Sequence, residues 1–231
     1  MRTNYTRVVY KGPADLKHSK IKVNEIYIVE VPPSIRTIKV RSIKHKVSRF
    51  SEELSFAAIM DRTLTPPETV TKHYTLAFPF LQFYLLDGIK KLPVLFNVER
   101  WVEEDNNKRI QIKHVTWRSK PLKKLTQNVK PVLLPNVFAN SQTCCGDQKL
   151  TPEEFISLFW MSEFTIELTR WPYLTLLKDT PLLSFEHWHN LTRKHGDSQF
   201  VLDIVDKMKW NEMPFSELVQ KPYYFNEDTI H

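Results

Sequence analysis

An α+β fold, an antiparallel strand meander with flanking helices, is predicted by three features of this chain. Alternating or near-continuous apolar runs fill the first half, and capped helical segments fill the second. Between them lies a loop-like stretch, 134–147, that holds both cysteines. Strands followed by helices indicate α+β rather than an alternating α/β fold.

The elements follow in order. Arg7 to Tyr10 reads as a short strand before the Gly12-Pro13 turn. Glu25 to Val31 is an apolar run closed by Pro32-Pro33. Thr37 to Arg41 alternates, with Ile38 and Val40 on one face and Lys39 and Arg41 on the other. The two runs predict a β-hairpin with a basic, wet face, so residues 1–50 are expected to form a basic N-terminal extension and 51–231 the α+β domain. Ser51 opens a predicted helix with Glu52 and Glu53 at its positive end, bounded by Thr65-Pro66-Pro67. His73 to Leu86 is nearly continuous in apolar residues, as a strand buried on both faces would be, with Pro79 marking an edge or bulge. Asp87-Gly88 reads as a turn. Pro93 to Val102 reads as a strand, and Arg109 to Trp117 is expected to pair back across it, with Ile110 and Ile112 facing one way and Arg109, Gln111 and Lys113 the other.

The second half is read from caps. Thr151-Pro152-Glu153-Glu154 is a capping box with proline at the first helical position. It predicts a helix to about Arg170, with Phe155, Leu158, Phe159, Ser162, Ile166 and Thr169 along one side, Leu150 stapled to Phe155, and Trp171-Pro172 as the breaker. Further helices are predicted from Ser184 to about Lys194 and from Ser198 to about Trp210, separated by Gly196.

Charge is uneven. Residues 1–50 carry 12 Lys/Arg against 3 Asp/Glu, 108–130 carry 8 against none, and 151–231 carry 7 against 13. The net +7 is therefore a basic first half set against an acidic last third. Two alternatives follow: a nucleic-acid or acidic-protein partner for Lys39, Arg41, Lys120, Lys123 and Lys124, or a solvated face that docks on the acidic third. No run reaches the length of a membrane span, and no secretory signal is visible. Two adjacent cysteines do not make a disulfide framework, which points to a reducing, cytoplasmic compartment.

The chemistry candidates narrow quickly. Cys144-Cys145 lacks zinc-knuckle spacing, and His187 and His189 point to different sides of a helix, so no metal is expected. There is no glycine-rich phosphate loop and no Gly-x-Ser-x-Gly elbow, and no cofactor is expected. A cysteine protease pairing Cys144 with His187 or His195 has no local support. The scattered tryptophans do not interleave with lysines, so they read as packing rather than a base-stacking platform. Free cysteines are often small buried hydrophobes, and that reading stays open for both thiols.

The cysteine stretch carries a resemblance. Pro135-Asn136, then Asn140-Ser141, then Cys144 eight residues after Asn136, then Thr151-Pro152, resembles the active-site segment of ubiquitin-conjugating enzymes. In that family His-Pro-Asn and a second Asn precede the catalytic cysteine, and a Ser-Pro cap opens the next helix. Among relatives it is most similar to divergent prokaryotic members of this UBC fold, such as the PRTRC system protein B group. The motif-level likeness covers 134–152, and the coarse element order extends it to about 51–210.

The resemblance implies a UBC-like fold and a ubiquitin-like modifier or acyl group carried as a thioester on Cys144. It also implies a modifier and an ATP-dependent activating enzyme as partners. Asn136 inherits two possible parts, oxyanion donor or loop brace. Pro135 and Asn140 support the loop, and Asp147 could orient or deprotonate an incoming amine. The departures are Leu134 in place of the histidine, Cys145 beside the nucleophile, Leu150 where a tryptophan commonly precedes the cap, and a connection about two residues shorter. A catalytically inactive member of the fold, acting as a binding scaffold through the basic surface, is the alternative.

Overall fold

The computed structural model describes residues 6–10, 21–44, 68–93, 101–103, 109–138, 141–143, 149–165, 180–208 and 212–220. The predicted helix from Ser51 lies outside them, as does the boundary expected at residue 50.

The chain is organised by one long ribbon. β2 (Ile21–Val31) and β3 (Ser34–Lys44) run antiparallel to β5 (Phe80–Pro93) and β4 (Glu68–Phe78) respectively. The β2–β5 ladder reaches Val31↔Leu81, and the β3–β4 ladder resumes at Ser34↔Phe78. The residues left out are Pro32-Pro33 on one strand and Pro79 on the other. Proline has no N–H to give a ladder, so both strands break at the same level and the ribbon passes from one sheet to another.

Two expectations fail at these prolines. β2 and β3 do not form a hairpin with each other, because the diproline sends them into different sheets. The run from His73 to Leu86 is two strands rather than one.

Among the described residues, the larger sheet has seven strands in the order β1-β2-β5-β7-β8-β10, with β6 also on β5. Here β1 is Thr6–Tyr10, β6 Trp101–Glu103, β7 Arg109–Arg118, β8 Asn128–Pro131 and β10 Met213–Pro214. The smaller sheet has the order β4-β3-β9, with β9 (Phe164–Thr165) parallel to β3. β7 pairs with β5 along its length, from Phe80↔Arg118 to Ile89↔Arg109, not with a strand over 93–102. Asp87-Gly88 is no turn but lies inside β5, where Gly88 faces a register shift between Val23 and Glu25 of β2.

Four described helices follow: α1 (Pro152–Met161), α2 (Phe185–His195), α3 (Gln199–Lys207) and α4 (Phe215–Gln220). The α+β class and the antiparallel sheets are as predicted. Among the described residues no helix is long and apolar enough to cross a membrane.

The capping box of α1 forms as read, with Thr151 Oγ1 accepting from Glu154 N and Glu154 Oε2 accepting from Thr151 N. The helix stops at Met161, not Arg170. Ser162 is already extended (φ −66°, ψ 149°), and Phe164 and Thr165 are taken into the smaller sheet. α2 begins at its Ser184 cap and ends at Gly196, whose φ of 73° is the left-handed conformation a glycine end supplies. α3 ends at Lys207, three residues short of the prediction.

Parity along β5 and β7 separates two cores. Leu81, Phe83, Leu85, Val115 and Trp117 face the main core with Phe155 and Phe159 of α1 and Trp188 of α2. Phe83 meets Phe155 and Phe159 edge-on, at 5.7 and 5.2 Å between centroids. Burying a ring of this size contributes about 1.5–3 kcal/mol, so this cluster fixes α1 on the sheet. Tyr84 and Leu86 face a second core with Ile26, Ile28, Val129, Phe215 and Leu218.

α2 seals the open edge of β4. Thr192 Oγ1 accepts from Ala77 N at 2.9 Å, Trp188 Nε1 donates to Ala77 O at 3.0 Å, and Thr75 N donates to His189 Nδ1 at 2.9 Å. A bare edge would offer those groups to another chain.

Candidate functional site

The stretch leading to the cysteines is built against β7. Pro131 to Val137 is buried. Leu134, before a proline, is biased to extended backbone, and Val137 N closes a turn on Leu134 O at 3.3 Å. Asn136 sits inside that turn with φ 63°, a left-handed conformation that asparagine tolerates better than most residues. Phe138 N then donates to Gln142 O and Ser141 N to Phe138 O, both at 2.8 Å. Residues 141–143 run beside β7: Val115 N donates to Ser141 O at 2.9 Å and Thr143 N to Lys113 O at 2.8 Å. Thr143 Oγ1 adds a second bond to the same carbonyl at 3.2 Å.

The Asn136 side chain makes three bonds. Nδ2 donates to Glu163 O at 3.0 Å, and Oδ1 accepts from both Thr165 N and Thr165 Oγ1 at 3.0 Å. Asn136 therefore ties this turn to β9. Of the two parts open to it, these contacts are those of a brace.

The far side of the cysteine segment is held just as closely. Gln111 Nε2 donates to Leu150 O and Leu150 N donates back to Gln111 Oε1, both at 2.9 Å. A side-chain amide thus pairs with Leu150 as a neighbouring strand would. Lys149 Nζ lies 3.4 Å from Asp87 Oδ2, and Asp87 is the cross-strand partner of Gln111. The chain before Cys144 is thus anchored at Lys113, and the chain after residue 148 at Gln111, two positions apart on one strand. Cys144, Cys145, Asp147 and Asn140 lie outside the described residues.

The expected basic surface divides. Lys39 and Arg41 share the outer face of β3, where they meet Glu163 at 3.1 and 3.8 Å. The hydrogen bond from Lys39 is the main reason the Glu163 carboxyl is held below its usual range. These two cations are therefore engaged within the protein. Lys120, Lys123 and Lys124 are exposed on the β7–β8 connection. There Gln127 Oε1 accepts from the backbone N–H of both Lys123 and Lys124, at 2.7 and 3.1 Å. Lys120 lies by Asp206, whose carboxyl is lowered first by a hydrogen bond from Ser119 and then by the Lys120 charge. Two other residues of the same basic run turn inward. Arg118 is half-buried, and Lys130 is buried with its ammonium on Val205 O and Met208 O, the end of α3, and 3.0 Å from Glu212. A cation there complements the negative end of the helix.

The residues missed in the sequence are Asp87, Gln111 and Glu163. Gln111 and Asp87 carry no local signal, because only strand register brings them together. Glu163 was hidden inside a helix predicted to continue.

No family model, curated protein or solved structure matches this chain.

Proposed function

We propose that this chain is a divergent ubiquitin-conjugating-like protein that carries a ubiquitin-like modifier or another acyl group as a thioester on Cys144. The observation that carries the reading is the bracing of the residues on either side. The turn at Pro135-Asn136 is tied to β9, Thr143 is held on Lys113, and Leu150 is held on Gln111. A nucleophile gains most when its flanking chain is held by a rigid sheet rather than left to find its geometry.

In this reading the Cys144 thiolate attacks the thioester carbonyl delivered by an activating enzyme, and collapse of the tetrahedral intermediate releases that enzyme's thiolate. An amine, as on lysine, later attacks the new thioester. It loses a proton, for which Asp147 is the candidate acceptor, and Cys144 leaves as thiolate. Asn136 acts as support, and Pro135 presets the turn that presents it.

The test is incubation with candidate activating enzyme, modifier and ATP, followed by electrophoresis with and without reducing agent. A thiol-sensitive adduct is expected in the native chain and in Cys145→Ala, and is absent in Cys144→Ala. An adduct that survives Cys144→Ala refutes the assignment.

A second reading, a non-catalytic scaffold of the same fold, is favoured by one observation: Lys120, Lys123 and Lys124 are exposed on the β7–β8 connection, where Gln127 holds the backbone at Lys123 and Lys124. It predicts binding to nucleic acid or an acidic protein that weakens steeply as salt rises. A flat salt titration with both DNA and RNA removes the nucleic-acid version.

A further inference from the structure

The second face of the larger sheet carries polar side chains where its neighbours are apolar. Glu30, Gln82 and Thr116 are successive cross-strand partners on β2, β5 and β7. On the same face Tyr84 lies opposite His114 and Arg118 opposite Phe80, so the two flank the Gln82–Thr116 pair at opposite ends. Gln82, Tyr84 and Thr116 are completely buried.

The row is only partly satisfied from within. Glu30 Oε1 accepts from Gln82 Nε2 at 2.9 Å and from Leu122 N at 2.6 Å. The carboxylate settles which way the Gln82 amide is turned, so Oε1 is the group left over. Gln82 Oε1, Thr116 Oγ1, Tyr84 Oη and Arg118 Nη1 are all buried and have no hydrogen-bond partner among the described residues. The Tyr84 ring stacks on His114 at 4.5 Å and meets Phe215 edge-on at 5.2 Å, so its place is set by packing and not by its hydroxyl.

A buried polar group without a partner forfeits its hydration for nothing. Several together would cancel much of the stability of a domain of this size. The chemistry of the partner follows from the groups themselves. Gln82 Oε1 needs a donor and Arg118 Nη1 needs an acceptor, while the two hydroxyls take either. An anion leaves the amide oxygen unmatched, and an ammonium leaves the guanidinium unmatched. Burial draws the Arg118 guanidinium down, and the carboxylates of Glu30 and Glu212 oppose that shift, so this cation already has carboxylates beside it. Arg118 is half-buried, so the row reaches the surface at that end.

We infer that the polar row centred on Gln82 and Thr116, with Tyr84 and Arg118 at its two ends, holds water or comparably small neutral molecules with both hydrogen-bond donors and acceptors. Water serves when it can bond several such groups at once. The row involves neither Cys144 nor any acyl chemistry.

The test joins a crystal structure of the full chain, at a resolution that shows ordered water, with native mass spectrometry of the same preparation. Density of one-atom size within bonding distance of Gln82 Oε1 and Thr116 Oγ1 identifies water. Extended density, with a retained mass that is lost in Thr116→Val, identifies a small ligand. Gln82, Tyr84 and Thr116 bonded directly to one another, with nothing between, overturns the site. A second measurement depends on sign. Thr116→Val keeps the shape and removes one bond to the bound molecule, so Tm is expected to fall by roughly 2–4 °C. A Tm that stays level or rises means the hydroxyl has no partner to lose, and also overturns the site.

Discussion

Asn136 shows how much one side chain can hold. It joins a turn to a strand 27–29 residues later through three bonds, in a backbone conformation that most residues resist. Replacing it with alanine leaves the buried Thr165 N–H without its acceptor and keeps the strained backbone. The expected loss is about 2–4 kcal/mol, combining an unmade buried bond with left-handed strain. Asn136→Gly loses the same bonds but relaxes the backbone, so it should be the milder of the two by about 1 kcal/mol. Urea denaturation of both variants checks the order, and a milder alanine would refute the account. The Pro135-Asn136 pair was legible in the sequence as part of a loop. Its partner was not, since Thr165 was expected inside a helix.

The elements were legible where their ends carry chemistry. Thr151-Pro152 and Glu154 mark the start of α1, and Ser184 and Gly196 mark both ends of α2, because a cap is a bond between near neighbours. The end of α1 was missed because Ser162 and Glu163 are acceptable in a helix, and only the smaller sheet draws Phe164 and Thr165 out of it. The seal of α2 over β4 has an electrostatic part at its first turn. Lys72 Nζ lies 2.7 Å from Glu186 Oε1, and Tyr74 Oη donates to the same oxygen at 3.1 Å. The hydrogen bond from Lys72 is the largest cause holding the Glu186 carboxyl below its usual range. A carboxyl depressed in the folded state stabilises above its unfolded pKa, and that stabilisation is lost as pH falls through the folded value. Tm of the native chain should therefore exceed that of Glu186→Gln at neutral pH, and the gap should close below about pH 4. A gap independent of pH would show that the contact owes nothing to the carboxylate charge.

At the scale of the whole molecule, the bent ribbon brings distant residues to one place. Asp87 and Gln111 become neighbours through the β5–β7 register, and together they hold Lys149 and Leu150. If the two anchors on β7 set the presentation of the cysteines, Gln111→Ala should change which thiol reacts. The expected result is a several-fold loss of the alkylation preference between Cys144 and Cys145, measured by mass spectrometry on the folded protein. Faster exchange of the Leu150 amide in the variant would confirm that the anchor has opened. An opened anchor with an unchanged preference would show that the clamp is structural only. The measurement needs no activating enzyme, so it stands apart from the thioester assay.

The sequence by itself determined the α+β class, the caps of α1 and α2, the end of β2 at Pro32-Pro33 and the loop that holds Asn136. Each rests on residues close along the chain, whose conformational preferences and capping bonds act locally. Tertiary structure decided which strands pair, where α1 stops, and which of the basic residues turn inward. Alternation along a strand determines which face a side chain takes but not which strand lies beside it. That choice belongs to long-range burial: Pro32-Pro33 and Pro79 split the ribbon between two sheets, and the ring cluster around Phe83 seats α1 across them.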